Sequence, residues 1–226
     1  MIALLVFLLA AQPGAFERRE DTPLLSFHYA WPAEAKAIPA LRAELRRQMA
    51  RARAEALANA RETREVSREA QVAFHQEMFD KVWSVEASNG RLLSLTADNR
   101  TDQNGAHPNR DFDSLIWDRV RGRRTSVAAV LGAAALTGMN ARYCSALAAM
   151  VARHGGEPPE RCPPLAERVL AFSDADHDGR FDALHVLIAP YVAASYADGS
   201  FVVDVPFEAS DLTAVAAAYR PAFESR

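Results

Sequence analysis

The spacing of apolar residues changes several times along the chain, and each change marks an element. "PLLSFHYAWP" (23–32) alternates apolar and polar positions, the period of a strand with one buried face. From Pro32 to about Arg68 the period lengthens. Ile38, Leu41, Leu45, Met49, Ala52 and Ala56 recur at three- and four-residue steps, one apolar stripe along a long helix. Pro39 falls near its start, where proline is tolerated. "AQVAFHQEMFDKVWSVEAS" (70–88) and "GRLLSLTADNRTD" (90–102) return to strand-like patterning, with "SNG" as the turn between them. "NGAHPN" (104–109) is a second turn cluster, and "RDFDSLIWDRVRGRRTS" (110–126) reads as a strand running to a turn at "RG". "SVAAVLGAAAL" and "NARYCSALAAMVARHG" predict two helices, the second stopped by Gly155 and Gly156. Beyond the proline-rich "EPPERCPP", three strands are predicted in "RVLAF", "FDALHVLIAPYVAA" and "GSFVVDVPF", separated by an aspartate-rich loop and by "YADG". A final helix is expected from near Ser210 through "TAVAAAYR" to Pro221. Strands and helices come in separated groups. That predicts an α+β fold: an antiparallel sheet packed with helices, one long N-terminal helix and a C-terminal helix.

Composition narrows the classes of function. The 226 residues are 50% hydrophobic and 24% charged, enough to bury a proper core. A net charge of −3 gives no footprint for nucleic acid or an anionic membrane. The basic residues of the long helix are interleaved with Glu34, Glu44, Glu55, Glu62 and Glu65, which describes a solvated, salt-bridged face. The opening "MIALLVFLLAAQPGAF" holds one apolar block, Ile2 to Ala11, too short for the roughly 20 residues that span a bilayer. Its length fits the apolar core of a secretory signal over residues 1–15, ending at Ala11 or Ala15, with a buried first strand as the alternative. Export implies a periplasmic or secreted location and no transmembrane span in the mature form. It also accounts for Cys144 and Cys162, expected to pair in an oxidising compartment and to add about 3 kcal/mol by closing their loop. Two cysteines alone cannot build a structural zinc site.

"SDADHDGRFD" (173–182) carries the densest candidate chemistry. Asp174, Asp176, Asp178, Gly179 and Asp182 occupy positions 1, 3, 5, 6 and 9 of an EF-hand-like loop. Position 12, where a bidentate Glu belongs, is His185, a poor ligand for a hard cation, and "VLAF" before the loop is strand. A calcium site on Asp174, Asp176, Asp178 and Asp182 is therefore expected only as a hairpin variant, and no other cofactor is implied. "DHDGRF" also resembles the "DxDGT" nucleophile motif of haloacid-dehalogenase-like phosphatases. There Asp176 and Asp178 would take the two acidic slots, but Arg180 stands where Thr is needed and no alternating elements follow. The plainest reading is a tight reversal at "HDG", with the remaining aspartates keeping its tip solvated. Elsewhere the six histidines form no metal-binding pattern, Ser94 lacks the G-x-S-x-G elbow, and there is no Walker loop or GxGxxG. His107 sits in a suggestive turn, where a hydrogen-bonding role is commoner than catalysis. Trp31, Trp83 and Trp117 are expected in the core.

"LLSFHYAWPAEAKAIPAL", "RLLSLTADNRTDQNGAHPNRDFDSLIWD" and "HVLIAPYVAASYADGSFVVDVPF", in that order, resemble the RsiV-like family. These are bacterial extracytoplasmic domains, also found beside the catalytic domain of the peptidoglycan deacetylase PdaC. Its "LLSL" strand, "GGAHP" turn and "WD" pair correspond to Leu92–Leu95, Gly105-Ala106-His107-Pro108 and Trp117-Asp118. Its "PYxAGPYAEG" corresponds to Pro190-Tyr191, Ala193, Tyr196-Ala197 and Gly199. The resemblance implies a PdaC-like part over 22–103 and an RsiV-like part over 104–226 in one compact unit. Gly105, His107, Pro108, Pro190, Tyr191, Tyr196 and Gly199 then form a motif surface. Asn104 replaces the first glycine of "GGAHP", and Ala194-Ser195 replace "GP". The deacetylase's metal-binding histidines and a sigma-factor-binding tail have no counterpart in these residues. The resemblance thus implies a non-catalytic envelope domain that binds peptidoglycan or a protein such as lysozyme. The alternative is an envelope hydrolase or deacetylase using His107 with the aspartate loop as its metal site, which requires His107 close to Asp176.

Overall fold

The computed structural model describes residues 14–226, so the expected signal segment lies, but for Gly14 and Ala15, outside the described residues. Nine strands and five helices follow in the order β1 (Phe16–Asp21), β2 (Leu25–Trp31), α1 (Ala33–Lys36), α2 (Pro39–Glu69), β3 (Glu77–Ser88), β4 (Leu92–Asp102), β5 (Asn109–Asp118), β6 (Arg123–Thr125), α3 (Val127–Leu131), α4 (Ala133–Arg153), β7 (Val169–Ser173), β8 (Ala183–Ile188), β9 (Phe201–Pro206) and α5 (Ala209–Ala214). Strands β1 to β6 form one sheet in sequence order, and β7 to β9 form a second. The fold is α+β, as the pattern predicts. One pair departs from a wholly antiparallel sheet: β2 and β3 run parallel, because the 31-residue α2 carries the chain back to the starting end.

Helix α2 begins on Pro39 at its first turn and buries Leu41, Leu45, Met49, Ala56 and Ala60 against the six-stranded sheet. From the sheet, Leu25, Phe27, Tyr29 and Trp31 alternate inward along β2 and meet Trp83, Leu93, Leu95, Ala97, Leu115 and Trp117. All three tryptophans are buried, and Trp83 Nε1–H donates to the Tyr29 hydroxyl at 3.0 Å. The opposite face of the sheet, through Leu92 and Ile116, packs on the second sheet, whose far side is covered by α4 through Leu136, Met139, Tyr143, Leu147 and Val151. The order of layers is helix, sheet, sheet, helix.

Several boundaries differ from the sequence expectation, each for a local reason. Strand β1, "FERRED", has no apolar alternation to reveal it; it is an edge strand paired only with β2. Residues 70–76 precede β3 rather than belonging to it. The two central helices divide at Gly132, whose φ of 85° an L side chain rarely adopts, so α4 starts well before the expected second helix. The C-terminal helix stops at Ala214. Val215 leaves the helix, and the chain continues irregularly through a short 3-10 turn at Arg220–Ala222, burying Val215, Tyr219, Ala222 and Phe223. Phe223 fits edge-on against Phe172 and Phe181, a docking a continuous helix would not allow.

Two covalent or polar ties hold this arrangement. Cys144 on α4 is bonded to Cys162 in the proline-rich connector, as expected. Asp118, at the end of β5, is completely buried. One of its oxygens accepts the backbone N–H groups of Val120 and Arg121, and the other accepts from Arg91 at 3.0 Å and the Tyr219 hydroxyl at 2.9 Å. Burial alone would raise its pKa, but the Arg121 backbone N–H, Tyr219 and Arg91 outweigh burial and hold the carboxyl below the usual range. Truncation by Asp118→Ala strands Arg91 and Tyr219 and is expected to cost about 3 kcal/mol, read as a lower urea midpoint with an unchanged slope. Replacing both cysteines by serine is expected to remove about 3 kcal/mol, and reductant should shift the wild-type midpoint by as much but leave the variant unmoved.

Candidate functional site

The loop between β4 and β5 and the segment after β8 bring the motif residues together. Asn104 occupies the left-handed region at φ 59°, where asparagine is among the few non-glycine residues tolerated. Its side chain also accepts the His75 N–H at 2.7 Å and donates to the His75 carbonyl at 2.8 Å. The missing glycine therefore leaves the loop anchored. On the other side, Ser195 caps the single turn Tyr196–Asp198, its hydroxyl donating to Asp198 at 2.6 Å, and Gly199 leaves that turn at φ 78°.

Three rings meet there. His107 stacks on Tyr196 with centroids 3.8 Å apart and planes 22° from parallel, and Tyr191 lies 5.5 Å from Tyr196 and 5.9 Å from His107. A carbonyl only accepts, so His107 Nδ1 carries the proton it donates to Pro108 O at 3.0 Å. His107 Nε2 is then 2.9 Å from the Tyr191 hydroxyl, within hydrogen-bonding distance. The Tyr196 hydroxyl donates to the same Pro108 carbonyl at 2.6 Å. Tyr191 holds φ 68°, unfavourable for an aromatic residue, while leaving 65% of its surface exposed. Beside the rings, Arg110 pairs with Asp98 and donates to Ser200 Oγ at 3.0 Å, a second link between the two sheets' loops. Gly105 and Pro108 are exposed next to the cluster; Pro190, half-buried, leads into Tyr191.

The aspartate loop lies elsewhere. It joins β7 to β8, whereas Tyr191 follows the far end of β8, a strand about 20 Å long by its residue count. His107 and Asp176 therefore stand at opposite ends of that strand, and the combined hydrolase or deacetylase centre, which requires them adjacent, is not formed. The connection is also more than a solvated tight turn. Asp176 and Asp178 are exposed, but Asp174 and Asp182 are buried. Asp174 accepts the Gly179 N–H at 2.9 Å, and Asp182 accepts from Ala175 and pairs with Arg226. His185 faces away from the loop, between Asp204 at 2.7 Å and Glu86 at 3.4 Å. Glu86 reaches it because it is the extra residue of a bulge in β3, between Val85 and Ala87.

Sequence reasoning missed a cleft of about 460 Å³ beside β6, lined by Arg121, Arg123, Arg124 and Tyr219. Its arginines are partly committed to the fold, Arg121 to Tyr219 and Arg124 to the Ser114 carbonyl.

Burial pulls the His185 pKa down, but the Asp204 hydrogen bond and the Glu86 charge outweigh it and hold the ring above its ordinary 6.5. A raised folded value means the bound proton stabilises the fold. The contribution should be complete below pH 6.5 and disappear as pH rises through the folded value. His185→Gln should flatten this part of the stability profile above pH 6.5, measured by urea unfolding.

Two crystal structures share the fold over nearly its whole length. A member of the DUF3298 family from Bacteroides fragilis superposes with a TM-score of 0.60 at 12% identity, covering 94% of this chain and 96% of its own. A DUF3298 family protein from Pseudomonas aeruginosa gives 0.56 at 14% identity, covering 94% and 97%. At such identities the likeness is one of fold, and the family these structures represent is a domain of unknown function. No protein-family model and no curated protein matches the chain.

Proposed function

We propose that the chain is a non-catalytic extracytoplasmic binding domain, periplasmic or secreted, whose ligand is peptidoglycan, read by the Tyr191–His107–Tyr196 platform. The observation that carries this reading is Tyr191: its ring is largely exposed while its hydroxyl and strained backbone are fixed by His107 and the segment after β8. A rigid aromatic face with polar edges suits the apolar faces and hydroxyl rims of sugar rings, and its fixed rotamers reduce the ordering cost of binding. The Cys144–Cys162 disulfide supports an oxidising compartment. Among the described residues no helix is long and apolar enough to cross a membrane.

Co-sedimentation with isolated peptidoglycan sacculi tests the proposal. The protein is expected to pellet with the wall and to release no muropeptides. Tyr191→Ala, which removes an exposed ring, should weaken pelleting about tenfold, about 1.4 kcal/mol, with an unchanged circular dichroism spectrum. Pelleting indifferent to that substitution removes the platform from the reading. Failure to pellet, combined with Tyr191-dependent capture of lysozyme, replaces the wall by a protein ligand.

A further inference from the structure

At the other end of β8, Asp174, Asp176 and Asp182 each offer a carboxylate oxygen, and the three oxygens lie within 4.8 Å of one another. Asp176 belongs to a second such group with Asp178 and Glu224, the latter from the C-terminal segment. Acidic side chains gather on many surfaces, so the grouping by itself assigns nothing. Asp174 changes that. The residue is only 8% exposed; one oxygen accepts the Gly179 N–H, and the other, Oδ1, is sealed from solvent with no hydrogen-bond partner. A buried carboxylate oxygen with nothing to accept from is costly to maintain, and it belongs to the carboxylate that joins the Asp176 and Asp182 group.

The local charge is also uncompensated. Five carboxylates, at 174, 176, 178, 182 and 224, face the guanidiniums of Arg180, which pairs with Glu224, and Arg226, which pairs with Asp182. Asp182 keeps acceptor capacity beyond Arg226, which takes Oδ2 only, because Oδ1 meets nothing but the Ala175 N–H at 3.3 Å.

We infer that this end of the molecule binds one calcium ion through Asp174, Asp176 and Asp182, with Asp178 and Glu224 as the flanking acids. The donors are all hard oxygens on an irregular loop, which suits the variable coordination of calcium better than the strict octahedron of magnesium. His185, which occupies the loop position where a bidentate Glu is wanted, is engaged with Asp204 and Glu86, so the further acid comes from the C-terminal segment instead. That segment runs along the loop: Phe181 N–H donates to Ala222 O at 2.9 Å, and Glu224 N–H donates to Phe181 O at 3.0 Å. The ion thus ties the β7–β8 connection to the end of the chain.

The test is isothermal titration of the full chain, stripped with EDTA and dialysed, with calcium chloride to about 10 mM, about tenfold above the weakest Kd of extracellular calcium modules, roughly 1 mM. Thermal melts run in parallel against magnesium chloride at equal ionic strength. The expected result is a one-site isotherm and a melting temperature about 5–10 °C higher at a hundredfold excess over Kd, with magnesium giving much less. Asp176→Asn, at an exposed position, should fold normally and lose the calcium heat. Asp174→Asn should melt no lower than wild type in EDTA, since it removes a buried charge of which one oxygen has no partner, and should gain nothing from calcium. Absence of heat and of any melting shift at the highest calcium concentration overturns the inference. So does an equal shift with magnesium, or a calcium response that survives in both variants.

Discussion

Strand β4 is buried on both faces from Leu92 to Ala97, and that constraint organises the molecule. Leu93, Leu95 and Ala97 face α2, while Leu92 and Ser94 face the second sheet. A helix on one side alone would leave the other face wet, so a two-layer arrangement cannot satisfy the strand. The second sheet covers it, and Ser94 on that face is fully buried yet satisfied, accepting the Phe172 N–H at 2.9 Å. The aromatic platform is a product of this docking. His107 comes from the first sheet's loop and Tyr191 and Tyr196 from the second's, so their geometry exists only when the two sheets are packed.

Apolar packing sets the distance between the layers; buried charges set their alignment. Asp118 joins the ends of β4 and β5 to Tyr219 of the C-terminal segment, whose ring also lies between Arg91 and Arg121. Arg142 on α4 holds the buried Asp211 of α5, and Arg226 holds Asp182. All three ties involve residues 211–226, which beyond the end of α5 hold no strand or long helix and are placed by these partners. Each one-sided truncation leaves a charge without its partner, which makes the arrangement intolerant of sliding.

Elements with a clear period were legible in the sequence. The stripe from Ile38 to Ala56 gives α2, the alternation of 23–32 gives β2, and the paired cysteines form the disulfide. Charge concealed β1, because an edge strand held by backbone pairing needs no apolar alternation. Alanine-rich sequence concealed the break at Gly132, since "GAAAL" suits a helix at any register. The motif residues His107, Tyr191 and Tyr196 could be singled out by resemblance, yet their convergence depends on contacts between segments more than eighty residues apart, which periodicity does not encode. In the aspartate loop the spacing of the acids was visible, but not that Asp174 and Asp182 are buried, nor that Glu224 joins them from the far end of the chain.

The edges of the six-stranded sheet limit how this protein can be recognised. At one edge, β1 presents Glu17, Arg18, Arg19 and Glu20 in succession, with Arg18 paired to Glu20 and Arg19 to Glu17 along the strand. At the other, β6 is three residues long and carries Arg123 and Arg124. An incoming strand would have to desolvate those charges for few backbone hydrogen bonds, so neither edge is a template for extending the sheet. Copies of the chain are kept from pairing through this sheet's edges, and a partner that meets this sheet is met by side chains rather than by shared backbone.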